Sequence, residues 1–176
     1  MKQIGLFVLT LGLLSVSLSS CTNNDDTDVW RDTNLSFMRQ IAQQEGVQTI
    51  NDSISGNTQM HYTVLKEGNG AKPIYGNKVT VRYAGWMYRD SIAIASYPTG
   101  TLLKKEAFDS SDEYTFRVGS STIEGWSIAL SYMNVGSKWR VFIPYNLAYG
   151  TSSSGTIKAY SALIFDIELL AIESDN

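Results

Sequence analysis

Histidine and cysteine are nearly missing from this 176-residue chain, which has one of each, His61 and Cys21. A metal centre built on His or Cys ligands is therefore not expected. Ser-His-Asp and Cys-His catalysis fall on the same count, because the single imidazole sits in a strand-like run and Cys21 lies far from it. Glycine-rich phosphate loops of the P-loop or dinucleotide type are absent. A basic stripe is lacking too: 14 Lys and Arg are scattered among 17 Asp and Glu, for a net charge of −3. That balance gives no footprint for nucleic acid, which needs clustered cations to displace counterions. One cysteine allows no internal disulfide, so the core must hold the fold. Aromatic residues, by contrast, are abundant, with 4 Trp, 10 Tyr and 6 Phe. A function running through apolar and aromatic surface fits this composition, and no cofactor or metal is expected.

Residues 1–20 read as a secretion signal, with Lys2, an apolar run from Ile4 to Val16, then Ser19 and Ser20 before Cys21. The apolar run is too short to span a bilayer comfortably, and no later one is long enough. Leu18-Ser19-Ser20-Cys21 resembles the lipobox cut by the lipoprotein signal peptidase. That resemblance implies a lipid anchor on Cys21 and a place in a bacterial cell envelope, at the outer membrane, either periplasmic or surface-exposed. Residues 21–28, polar and acidic, read as the lipidated cysteine and a flexible tether.

Residues 29–56 are expected to hold a short helix, capped by Asn34 and running to about Glu45, with Leu35, Met38, Ile41 and Ala42 at helical spacing. The main domain is expected over 57–176. Its strands are Met60–Lys66, Asn77–Ala84, Tyr114–Val118, Lys138–Ile143 and the long apolar Ala162–Ile172. Between the third and fourth, Trp126, Ala129, Leu130 and Met133 recur at i, i+3, i+4 and i+7, which predicts one helix. This order describes an α+β domain in which a sheet wraps a single helix.

Six blocks, in order, resemble the FK506-binding-protein (FKBP) family of peptidyl-prolyl cis-trans isomerases: Val79–Gly85, Phe108–Ser111, Ile123–Trp126, Met133–Gly136, Ile143-Pro144 with Leu147–Gly150, and Leu163–Leu170. The fold this implies is a curved antiparallel β-sheet half-wrapped around one short α-helix, here with an extra N-terminal helix. The implied proline pocket comprises Tyr83, Phe108, Asp109, Tyr114, Ile123, Trp126, Tyr149, Ile157 and Phe165. Trp126 stands at the family's pocket floor, and Ile123 where a backbone N–H binds a ligand carbonyl. Tyr114 stands where the family usually has Phe. The implied partners are proline-containing polypeptides. The short N-terminal helix favours a monomer, whereas many bacterial relatives dimerise through long ones. His61 has no catalytic role in this reading.

The chain departs from the family pattern at its pocket rim. Residues 86–107 form an insert, in which Ile92–Ala95 and Tyr97-Pro98-Thr99-Gly100 suggest a strand and a turn. Such an insert could extend, cover or displace the Phe108-Asp109 wall. Ile157-Lys158-Ala159 replaces a common Ile-Pro-Pro, and the Ser-rich Thr151–Ser154 predicts a mobile loop. The alternative function is a catalytically weak or inactive binding or chaperone module whose 86–107 insert docks a partner. A third reading, a glycan-binding surface, depends on Trp86 and Tyr97 being exposed.

Overall fold

A computed structural model describes residues 26–52, 58–88, 94–99 and 107–174. The leader and Cys21, and Ile92 and Ala93 of the insert, lie outside the described residues. The elements are helix α1 (Asp26–Ile41), strands β1 (Gln48–Asp52), β2 (Thr58–Lys66), β3 (Lys78–Met87) and β4 (Asp109–Arg117), helix α2 (Glu124–Tyr132), and strands β5 (Lys138–Ile143) and β6 (Leu163–Ile172). The strands form one sheet in the order β1-β2-β5-β6-β3-β4, with every pairing antiparallel. The expected α+β class holds, and the sheet is antiparallel as anticipated.

Strand alternation sends one side chain set to each face. Val79 and Val81 of β3, Val141 and Ile143 of β5, and Leu163, Phe165, Ile167 and Leu169 of β6 point inward. They pack against Trp126, Ala129, Leu130 and Met133 of α2. Each such side chain, fully buried, contributes about 1.5–3 kcal/mol. Register shifts between Val64 and Lys66, Thr80 and Val81, and Val81 and Tyr83 interrupt the ladders. Bulges of this kind bend a strand and increase its twist, so the sheet can curve around α2.

The other face carries a second core. Trp86, Phe142 and Ile164 are buried there by Phe37, Met38 and Ile41 of α1 and by Tyr97 of the insert. Burial on both faces explains why β6 reads as an almost unbroken apolar run. Tyr97 is fully buried and Trp86 nearly so, which removes the glycan-stacking reading. The Phe37 ring lies 4.5 Å from Tyr88 and 5.0 Å from Tyr97, centroid to centroid. The segment Ile94–Ser96 forms a single 3₁₀ turn, not the expected strand. Arg140 pins it: Nη1 donates to the Tyr97 carbonyl at 2.7 Å, while Nε and Nη2 hold Asp166 at 2.6 and 2.9 Å.

Further differences concern boundaries. α1 begins eight residues before Asn34, so residues 26–28, read as tether, are helical. Asp26 and Asp28 sit in its first turn, where carboxylates favour the positive end of the helix dipole. Asn34 is therefore no cap. It is buried within the helix, donating to the Trp30 carbonyl at 2.8 Å and accepting from the Ala162 N–H at 2.9 Å. Strand β1 was not anticipated, because Gln48–Asp52 is polar; it pairs along β2 with Ile50 opposite Met60. β4 starts five residues earlier than Tyr114, since Asp109 and Ser110 pair with Gly85 and Ala84.

Candidate functional site: an aromatic pocket on the inner face

The inner face opens between β3, β4, β6 and the start of α2 into a cavity of about 120 Å³. An apolar cavity of roughly 150 Å³ holds one benzene ring, so the volume suits a single small ring. Its lining is Tyr83, Phe108, Asp109, Tyr114, Ser121, Thr122, Ile123, Trp126, Tyr149 and Phe165. Eight of the nine residues expected from the sequence thus meet at one place. The ninth, Ile157, does not line the cavity; it is 5% exposed and packed in the inner core. Ser121 and Thr122 were not singled out, because nothing in a Ser-Ser-Thr run distinguishes a pocket wall from an ordinary turn.

Trp126 occupies the floor at 4% exposure. Tyr83 stands edge-on to it at 4.8 Å and Phe165 at 5.2 Å, with interplanar angles of 77° and 88°. Phe108 continues the wall, edge-on to Phe165 at 5.6 Å. Such T-shaped pairs set the positive edge of one ring on the negative face of the next. Gly85 makes the arrangement feasible, because a Cβ there would lie 2.3 Å from Cε1 of Phe165 and 3.0 Å from Cζ of Phe108. Gly125 lets the start of α2 sit on β5, where a Cβ would meet Ile143 at 2.5 Å.

The polar groups are few and directed. The Tyr83 hydroxyl donates to Oδ2 of Asp109 at 2.8 Å. Burial, reinforced by the Asp109 carboxylate, pushes the Tyr83 phenol far above its ordinary range, so it remains a proton donor. Nε1 of Trp126 is buried with no hydrogen-bond partner among the described residues, and so is Oγ1 of Thr122. A buried donor left unmatched costs about 1–3 kcal/mol, which a bound acceptor would recover. Ile123 is the residue preceding α2, extended at φ −63° and ψ 148°, and its backbone N–H makes no hydrogen bond among the described residues. Tyr149, 41% exposed, stands at the mouth.

Fold and site together define a class: an antiparallel α+β domain whose inner face opens into a small pocket lined mainly by aromatic side chains. Residues 70–170 match the family model described as FKBP-type peptidyl-prolyl cis-trans isomerase. The chain belongs to this family. It is 38% identical over 141 residues to the FKBP-type peptidyl-prolyl cis-trans isomerase FkpA of Aeromonas hydrophila, covering 78% of this chain and 44% of that one. It is also 38% identical over 119 residues to the outer membrane protein MIP of Legionella longbeachae, covering 65% of this chain and 44% of that relative. Against FK506-binding protein 1 of Aspergillus oryzae the identity is 31%, over 94% of that protein and 62% of this chain. Among solved structures, a peptidyl-prolyl cis-trans isomerase from Pseudomonas syringae aligns with a TM-score of 0.66 at 32% identity, over 84% of this chain and 96% of that one. The chain thus spans under half the length of the FkpA and MIP relatives.

Proposed function

We propose that this chain catalyses cis–trans isomerisation of Xaa–Pro bonds in polypeptides outside the cytoplasm, from a lipid anchor at Cys21. The observation that carries the reading is the aromatic socket with unmatched donors at its floor and edge, Nε1 of Trp126 and the Ile123 N–H. An Xaa–Pro amide crosses a barrier of ~18–20 kcal/mol because it is stabilised by resonance. Twisting the C–N bond breaks that resonance and removes charge separation between oxygen and nitrogen. A site that seats the pyrrolidine ring on Trp126, between Tyr83 and Phe165, strips water from the amide and favours the twisted form over the planar one. The Ile123 N–H holds the carbonyl on the N-terminal side or on the C-terminal side of proline, and the Tyr83–Asp109 pair fixes the wall. No covalent step is needed.

The relatives named for an FkpA-type isomerase and an outer membrane protein support a cell-envelope location. The sequence around Cys21 supports the anchor, with residues 1–20 as its leader and the isomerase domain over 57–176. Packing of Phe37, Met38 and Ile41 of α1 onto the chain's own sheet supports a monomer. Two measurements test this. The protein should accelerate a refolding phase limited by Xaa–Pro isomerisation, and a protein that leaves that phase unchanged is not a folding isomerase. Cys21→Ser should move it from the membrane to the soluble fraction; unchanged fractionation would remove the anchor.

A further inference from the structure

The rim segment between Tyr149 and Ala162 has a composition suited to disorder. It holds four Ser in total, two Thr and two Gly, and no proline. Yet it closes on itself, with the Tyr160 N–H donating to the Gly150 carbonyl at 2.9 Å and Ser154 paired with Ile157. Tyr160 adopts φ 61°, the left-handed region that costs a bulky side chain free energy and persists only where neighbours impose it. The neighbours are Tyr145, whose ring is 5.3 Å away edge-on, and helix α1.

One face of α1 grips this segment at four points. Nε1 of Trp30 donates to Oγ of Ser161 at 3.2 Å. Nζ of Lys158 lies over the Trp30 ring, 5.3 Å from its centroid. The Arg31 guanidinium lies 5.8 Å above the ring of Tyr160. Oδ1 of Asn34 accepts from the Ala162 N–H. Trp30, Arg31 and Asn34 fall on successive turns of one helical face, so a single rigid element engages residues 158, 160, 161 and 162 together. Gly150, tied to Tyr160, immediately follows Tyr149 at the mouth of the pocket.

We propose that α1 is a positioning element for the pocket: Trp30, Arg31 and Asn34 hold the rim segment 150–162, and through it Tyr149, in the geometry that receives the substrate. The proposal deepens the isomerase reading and rests on it for its kinetic part. Its structural part stands without it. Trp30 is only half-buried and outside the second core, so its replacement leaves Phe37 and Ile41 to keep α1 docked.

The test compares the full-length chain with Trp30→Ala, Arg31→Met and Trp30→Phe, by amide hydrogen exchange and by isomerisation kinetics on an Xaa-Pro peptide. Trp30→Ala should speed exchange at Tyr160 and Ala162, leave Ile167 in the sheet unchanged, and raise KM roughly threefold or more with kcat little altered. Arg31→Met should do the same more weakly. Trp30→Phe keeps a ring beneath Lys158 and should restore most of both effects. Unchanged exchange at Tyr160 and Ala162 in Trp30→Ala overturns the proposal. So does faster exchange with unchanged KM in an enzyme that is active. Faster exchange in a chain whose unmutated form has no isomerase activity supports the clamp and overturns the isomerase reading instead.

Discussion

Tyr83 and Asp109 show most directly how single side chains set the site. Burial and the hydrogen bond to Asp109 keep the proton on the phenol near neutral pH, so Tyr83 stays the donor in the 2.8 Å bond. Tyr83→Phe removes the donor and keeps the ring on Trp126. Because water can reach the Asp109 carboxylate left behind, it should cost about 0.5–1.5 kcal/mol in chemical denaturation and lower kcat/KM, and a variant with unaltered kinetics would separate this pair from the reaction. His61 makes a different prediction. Buried on β2, with Nδ1 2.9 Å from Oγ1 of Thr49, it has a pKa held below the ordinary 6.5 by burial. The unfolded chain therefore takes up this proton at higher pH than the folded one, so stability is retained above about pH 6.5 and falls as pH drops below it. Thermal melts from pH 7.5 to 5 should show this decline, and His61→Gln should flatten it.

At the scale of elements, alternation made β3 legible as a strand with one inward face, whereas the pocket residues were legible only through the blocks that resemble the family. Val79, Val81 and Tyr83 alternate toward one face, and Gly85 continues the same set. Gly85→Ala should displace Phe165 and Phe108, costing about 1–3 kcal/mol by overpacking and most of the activity, as checked by denaturation and peptide turnover. What escaped the sequence had no local signal. The polar β1 is a strand because β2 offers it an edge, and Asn34 looked like a cap because its two partners, Trp30 and Ala162, lie 4 and 128 residues away. Ile157 followed the family pattern into the predicted pocket, but the rim segment turns it into the core. Arg140 likewise looked like an ordinary strand residue. Its fork on Asp166 and the Tyr97 carbonyl joins β5, β6 and the insert, so Arg140→Met, which leaves Asp166 largely buried and unpaired, should cost about 3–5 kcal/mol in denaturant titration. A double variant with Asp166→Leu should regain much of that loss.

Across the whole molecule, one sheet separates two tasks. The inner face builds the socket with α2, and the outer face is covered by α1 and the described part of the insert. Tyr97 lies on the outer side, so residues 94–99 add to the second core and do not wall the pocket. Removing residues 1–57 would bare Phe142, Ile164 and Trp86, a contiguous apolar surface that should drive self-association, visible by sedimentation. The central claim is catalysis at the socket, and NMR exchange spectroscopy on Xaa-Pro peptides tests it most directly. Protein beginning after Cys21 should speed cis–trans exchange, and Trp126→Leu, folded by circular dichroism, should return the rate to that of peptide alone. No acceleration across a panel of residues preceding proline, or equal acceleration by the variant, would contradict the account.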